Sequence, residues 1–127
     1  MTESAVLPDD PTTAPFWEGA LLHELRIQRC VSCGQHQFYP RPFCLRCDGA
    51  VEWVRASGAA HVYSVTTVRL PVQPDMPPPY VVAIVELEEG PRMLTQLMHP
   101  TGAIGDRVRL TWREREGAAP LPIFEPA

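Results

Sequence analysis

Cys30-Val31-Ser32-Cys33-Gly34 and Cys44-Leu45-Arg46-Cys47-Asp48-Gly49 contain all four cysteines of the chain, as two C-x2-C pairs separated by ten residues. A C-x2-C pair brings two thiolates to one side of a turn, and two such turns facing each other close a tetrahedron around one metal ion. Gly34 directly after Cys33, and Gly49 two after Cys47, supply the backbone freedom that N–H groups need to curl towards sulfur. Paired disulfides suit secreted mini-proteins, but the stretch Met1 to Asp10 is polar and acidic, with no apolar core of an export signal. The pattern therefore predicts a zinc ribbon, with disulfides or iron as the lesser alternatives.

A catalytic zinc keeps one position open and usually has histidine or carboxylate among three protein ligands. Cys30, Cys33, Cys44 and Cys47 would fill the sphere with sulfur, which predicts a structural Zn²⁺. His36, inside the loop, is then expected to face solvent or to support the centre from outside. Structural zinc contributes on the order of 10–16 kcal/mol in finger peptides, more than most domains hold in net stability, ~5–15 kcal/mol. Loss of the metal is thus expected to unfold residues 25–53.

Outward from this centre, composition limits the options. The chain has 127 residues, is 45% hydrophobic, and carries fifteen prolines and a net charge of −4. So many prolines disfavour a helical protein. No apolar run is long enough to span a membrane, and the cytoplasm is the expected compartment. All eleven basic residues are arginine, and the acidic balance argues against a general nucleic-acid binder.

Residues 1–13 read as a flexible tail. A short helix is expected from Pro15, capped by Thr12 or Thr13, with Phe16, Ala20 and His23 on one stripe and Trp17 and Leu21 on another. Leu25, Ile27 and Arg29 alternate with Arg26 and Gln28 as a strand into Cys30, and Val51 to Val54 closes the ribbon. Helix and ribbon together make a unit over 14–56. Over 57–127 follow strands at His61–Leu70, Val81–Glu88, Arg92–Met98, Arg107–Arg113 and Leu121–Phe124, with Pro71–Pro79 as a proline-laden loop and Gly90-Pro91 as a hairpin turn. Val81, Ala83, Val85 and Leu87 line one side, as do Val108, Leu110 and Trp112. The fold class expected is mainly β: a short helix, a zinc ribbon and a five-stranded closed barrel of the OB type.

Pro15-Phe16-Trp17-Glu18-Gly19, Gln28-Arg29-Cys30-x2-Cys33-Gly34 and Tyr39-Pro40-Arg41-Pro42-x-Cys44-x2-Cys47 resemble the acyl-CoA-associated zinc-ribbon/OB-fold family, catalogued as domain of unknown function (number 35). Val62-Tyr63-Ser64, Pro79-Tyr80-Val81-Val82-Ala83, Glu89-Gly90-Pro91-Arg92 and Leu121-Pro122-x-Phe124 extend the likeness over about 14–126. Ala60 and Asp48-Gly49 depart from the family's usual glycine and Gly-Ser, without touching a cysteine. The resemblance implies a rubredoxin-like ribbon followed by an OB-fold. It also implies a non-catalytic partner of thiolase-like acyl-CoA enzymes, including lipid-transfer-type aldolases, in steroid side-chain or polyketide metabolism. In this role the chain helps to form the CoA-ester channel, with an acyl-CoA ester at or near the interface.

The residues agree with a partner role. Four thiols committed to metal leave no cysteine nucleophile. His23, His36, His61 and His99 have no carboxylate at motif spacing, and Ser4, Ser32, Ser57 and Ser64 lack a nucleophile-elbow context. Phe16 and Trp17 are candidates either for internal packing or for a docking face. Tyr39 shares that choice, and Arg41, held between two prolines, is a candidate for a CoA phosphate or a partner carboxylate. The rival function is a single-stranded nucleic-acid-binding ribbon/OB protein, which needs a positive groove interleaved with aromatics.

Overall fold

A computed structural model describes residues 7–71, 74, 77–98 and 103–127. The first six residues of the expected tail, parts of the Pro71–Pro79 loop, and His99 lie outside the described residues. Among the described residues, one helix and eight strands follow in order: α1 Ala14–Leu21, β1 Arg26–Cys30, β2 His36–Gln37, β3 Val51–Arg55, β4 Ala59–Val68, β5 Tyr80–Leu87, β6 Arg92–Leu97, β7 Arg107–Arg115 and β8 Ala118–Pro126. The first three strands form a small sheet in the order β2-β1-β3, and the last five close a barrel in the order β4-β5-β6-β8-β7. The mainly β class and the five-stranded OB-type barrel are as the sequence predicts.

Helix α1 begins at the N-cap Thr13, with Pro15 in the first turn, where its missing N–H costs nothing. Thr13 does not cap through its side chain; its backbone N–H instead donates to the Asp10 carbonyl at 3.1 Å, closing a turn before the helix. The helix stops at Leu21, short of the predicted stripe, because His23 takes a left-handed φ of 57°. There its imidazole stacks on Trp112, with ring centres 5.4 Å apart, and meets Glu114 at 2.7 Å. Tertiary contact with the barrel has displaced His23 from the helical face.

Helix α1 lies against β8 and β1, and Phe16 enters a continuous apolar core with Leu25, Ile27, Val62, Val85, Leu87 and Phe124. The alternation in β5 is realised: Val81, Ala83, Val85 and Leu87 are buried and the residues between them are not. In the β5–β6 hairpin Val85 pairs with Met93 and Ala83 with Thr95. Strands β7 and β8 run longer than predicted because they pair with each other as far as Arg115 and Ala118, past a bulge. Pro120 and Pro122 both sit within β8. Closure rests on a sparse parallel seam, Leu97 beside Phe124, supplemented by the Met98 N–H donating to the Phe124 carbonyl at 2.8 Å.

One expectation fails in β1. Gln28, predicted to alternate outward, is 2% exposed, while Arg29 is only half-buried and pairs with Glu52 at 2.8 Å. The strand has neighbours on both edges, and a loop covers the face that alternation assigns to solvent.

Candidate metal centre

The two knuckles are built alike. The Gly34 N–H donates to the Cys30 carbonyl at 3.0 Å, and the Asp48 N–H to the Cys44 carbonyl at 2.9 Å. The Cys30 N–H donates to Gln35, and the Cys44 N–H to Gly49, each at 2.9 Å. The positive-φ position of the first knuckle is Gly34, at 77°, but that of the second is Asp48, at 62°. Asp48, with a short polar side chain, is among the residues that tolerate this region. Gly49 serves a different purpose from the one its position first implies. A Cβ there would lie 3.1 Å from the Cys30 sulfur and 3.2 Å from that of Cys47. Its hydrogen is what lets the chain pass over the sulfurs.

These turns bring the four Sγ atoms within 4.8 Å of one another, with Cys30 and Cys44 buried and Cys33 and Cys47 exposed. Cys30 and Cys47 are 3.4 Å apart, and Cys33 and Cys44 are 3.8 Å apart. A tetrahedral zinc with bonds of about 2.3 Å needs sulfurs roughly 3.8 Å apart, so the donor set fits such an ion. Backbone donors already face the sulfurs: the N–H groups of Ser32 and Cys33 reach Cys30 Sγ at 3.4 Å, and that of Arg46 reaches Cys44 Sγ at 3.4 Å.

The electrostatics carry the same message. The Cys33 N–H, with help from Ser32, pulls the Cys30 thiol down to about 6 against the opposing effect of burial. Its neighbour Cys47 is pushed up to about 12: the Gly49 N–H lowers it, but the Cys30 sulfur, burial and the other two cysteines outweigh that donor. Sulfurs this close resist ionising together, and a bound cation is what allows all four to be thiolates. His36 contributes no atom to this cluster; it opens β2 and is half-buried.

The remaining sequence-predicted site residues occupy two places. Phe16 is 6% exposed and belongs to the core, with its ring edge-on to Trp17 at 4.8 Å and tilted against Phe38 at 5.6 Å. Trp17 is half-buried against that core, and the Arg115 guanidinium lies 5.9 Å from its ring centre. Tyr39 is 52% exposed and stacks on Phe38 at 5.8 Å, while Arg41 is exposed in the loop between the knuckles. The structure thus separates Phe16, an internal residue, from Tyr39 and Arg41, which are at the surface. Sequence reasoning missed the residues beneath that loop, Gln28 and Gln37, directly opposite each other on β1 and β2. The available signal was two glutamines on the strands that precede a proline-stiffened loop whose backbone polar groups had no strand partner.

The family model of the ChsH2 rubredoxin-like zinc ribbon domain matches residues 17–52, and that of the ChsH2 C-terminal OB-fold domain matches residues 53–113. A probable enoyl-CoA hydratase alpha subunit of Thermomonospora curvata is 41% identical over 88% of this chain and 37% of its own length. The 3-oxo-4,17-pregnadiene-20-carboxyl-CoA hydratase alpha subunit of Mycobacterium tuberculosis is 39% identical over 79% of this chain and 33% of its own. The chain therefore spans about a third of these two relatives. A DUF35 domain-containing scaffold protein of Methanothermobacter thermautotrophicus is 34% identical over 72% of this chain and 74% of its own. Among solved structures, a chain of the Ltp2-ChsH2(DUF35) aldolase superposes with a TM-score of 0.84 at 36% identity, covering 98% of both chains.

Proposed function

Because the chain belongs to the DUF35 family of zinc-ribbon/OB-fold proteins, we propose that it is an accessory subunit of a thiolase-like acyl-CoA enzyme, in the manner of the ChsH2 DUF35 chain of the Ltp2 aldolase. The observation that carries this reading is end-to-end similarity to that chain, 98% of each. Within this reading, Cys30, Cys33, Cys44 and Cys47 hold one structural Zn²⁺, residues 14–56 form the helix-and-ribbon unit, and 57–127 form the barrel. The substrate class is a CoA thioester, steroid-derived by analogy with the pregnadiene-carboxyl-CoA hydratase subunit, and it reaches the enzyme at or near the interface with this chain.

When bound, zinc supplies cross-linking rather than chemistry. The chain's own part is to fix β1, β2 and β3 around the knuckles and to present the intervening loop. The nucleic-acid reading has no comparable support. On the barrel, Arg92 pairs with Glu86 at 3.1 Å and Arg109 with Glu125 at 2.8 Å, so these guanidinium groups are neutralised within the chain instead of forming a positive groove.

Co-expression with the thiolase-like enzyme of the same genome tests the proposal. A stable hetero-oligomer in native mass measurement, with enzyme activity that depends on this chain, is expected. A thiolase-like enzyme that is fully active alone and never co-purifies with the chain overturns it.

A further inference from the structure

The loop between the knuckles is held from beneath by two buried carboxamides. Gln28 is 2% and Gln37 8% exposed. Gln28 Nε2 donates to the Arg41 carbonyl at 2.7 Å, and Gln28 Oε1 accepts from the Arg41 N–H at 2.8 Å and from Gln37 Nε2 at 2.8 Å. Gln37 Nε2 also donates to the Phe43 carbonyl at 3.2 Å, and Gln37 Oε1 accepts from the Leu45 N–H at 3.1 Å. Flipping either amide would set donor against donor, so the network fixes both orientations.

A buried amide left without partners is costly, because it has given up its hydrogen bonds to water. The pair is therefore stable only with the loop in this one conformation, and an apolar pair would not impose that choice. One side chain, Gln28, grips both backbone groups of Arg41, so the arginine backbone is immobilised while its guanidinium stays outside. That guanidinium has no ion pair or hydrogen bond among the described residues. Arg26, Arg29, Arg92 and Arg109, by contrast, are each paired with glutamate. Around Arg41 the same loop exposes Tyr39 (52%) and Phe43 (47%), and the second knuckle exposes Leu45 (62%).

We propose that this loop is the element that docks onto the enzyme subunit, with Arg41 receiving a carboxylate of that subunit and Gln28 and Gln37 acting as its positioning residues. The inference rests on the accessory-subunit reading above. An unpaired arginine among exposed aromatic and aliphatic side chains has the composition of a protein–protein hot spot. A phosphate site would gather several donors instead, and here the flanking side chains are Tyr39, Phe43 and Leu45.

The test is a binding titration of the co-purified enzyme against the full chain and its Arg41→Ala, Gln28→Met and doubly substituted variants, with zinc content measured throughout. Arg41→Ala is expected to weaken binding by about 30-fold or more, the size of a hot-spot loss, and to flatten its salt dependence. Gln28→Met should also weaken binding, and the double variant should be little weaker than Arg41→Ala alone, the non-additivity of residues that act as one unit. Should Gln28→Met lose zinc or fold poorly, Arg41→Ala and Arg41→Lys decide the matter, the lysine variant being intermediate. Unchanged affinity for Arg41→Ala overturns the inference. So do multiplicative losses in the cycle, or an Arg41→Ala effect confined to KM for the acyl-CoA, which would assign the guanidinium to a CoA phosphate. If the unaltered chain forms no complex, the accessory-subunit reading falls with it.

Discussion

Gly49 packs its α-carbon against the Cys30 sulfur, so closely that a methyl group at position 49 would come to 3.1 Å from that atom. The same methyl would meet Cys47 Sγ at 3.2 Å and Ser32 Oγ at 3.0 Å. Gly49→Ala is therefore expected to push the second knuckle off the sulfurs, at about 1–3 kcal/mol for overpacking. Competition with a chromophoric chelator should show zinc lost more readily from the variant. Equal retention would mean that the knuckle relaxes freely.

Replacing Cys44, which is 1% exposed, by serine removes a buried donor from the four-sulfur set. Cys44→Ser is expected to bring zinc content from about one per chain to near zero and to yield poorly soluble protein. Prolonged chelation of the unaltered chain should have the same effect, since structural zinc contributes on the order of 10–16 kcal/mol to small ribbons. Amide exchange would locate the loss in β1, β2 and β3. A variant that is well folded and free of metal contradicts the structural role.

In the middle of α1, Gly19 faces β1 with no room to spare. A Cβ there would lie 2.7 Å from Arg26 Cδ and 2.8 Å from the Glu24 carbonyl oxygen. Alanine gains about 1 kcal/mol of helix propensity over glycine, but the arginine stem can move aside while the carbonyl cannot. The clash should win, and Gly19→Ala is expected to lower stability by about 1–2 kcal/mol net. Denaturant unfolding at constant m measures it; a stabilised variant would show that the helix can slide.

Much of this architecture could be read from local pattern. The C-x2-C spacing marks the ribbon because metal geometry leaves few alternatives, and Val81 to Leu87 marks a barrel strand because one face is buried and the other is not. What escaped the pattern depends on long-range partners. His23 leaves the helix for Trp112 and Glu114 in the barrel. Gln28 is buried because the Arg41 backbone closes over it, and no periodicity within β1 records that loop. Gly49 was legible as necessary but not for its reason, since two of the three atoms that require it belong to Cys30 and Ser32 on the other knuckle.

The barrel seam gives a fourth prediction. Thr95 Oγ1, buried in β6, donates to the Pro122 carbonyl in β8 at 2.9 Å. It thereby supplements a seam in which, among the described residues, only Leu97 and Phe124 are in parallel register. Thr95→Val keeps shape and volume but leaves that carbonyl buried without its donor, at about 1–3 kcal/mol. The midpoint of denaturant unfolding should fall accordingly, with zinc content unchanged; an unshifted midpoint would show that the seam does not depend on this bond.

Phe16 and Trp17, adjacent on α1, are expected to respond differently to truncation. Phe16→Ala empties a site that is 6% exposed and in contact with Phe38, so it should cost about 3–5 kcal/mol and loosen the loop that Phe38 anchors. Trp17 is half-buried, and its ring meets Phe16 on one side and Arg115 more distantly on another. Trp17→Ala should cost less stability than Phe16→Ala and weaken the complex with the thiolase-like enzyme more than its stability loss accounts for, because part of the ring is free to meet a partner. Unfolding and binding measured on both variants separate these contributions. If Trp17→Ala binds the enzyme as tightly as the unaltered chain, its ring belongs to internal packing alone and the docking surface is confined to the loop around Arg41.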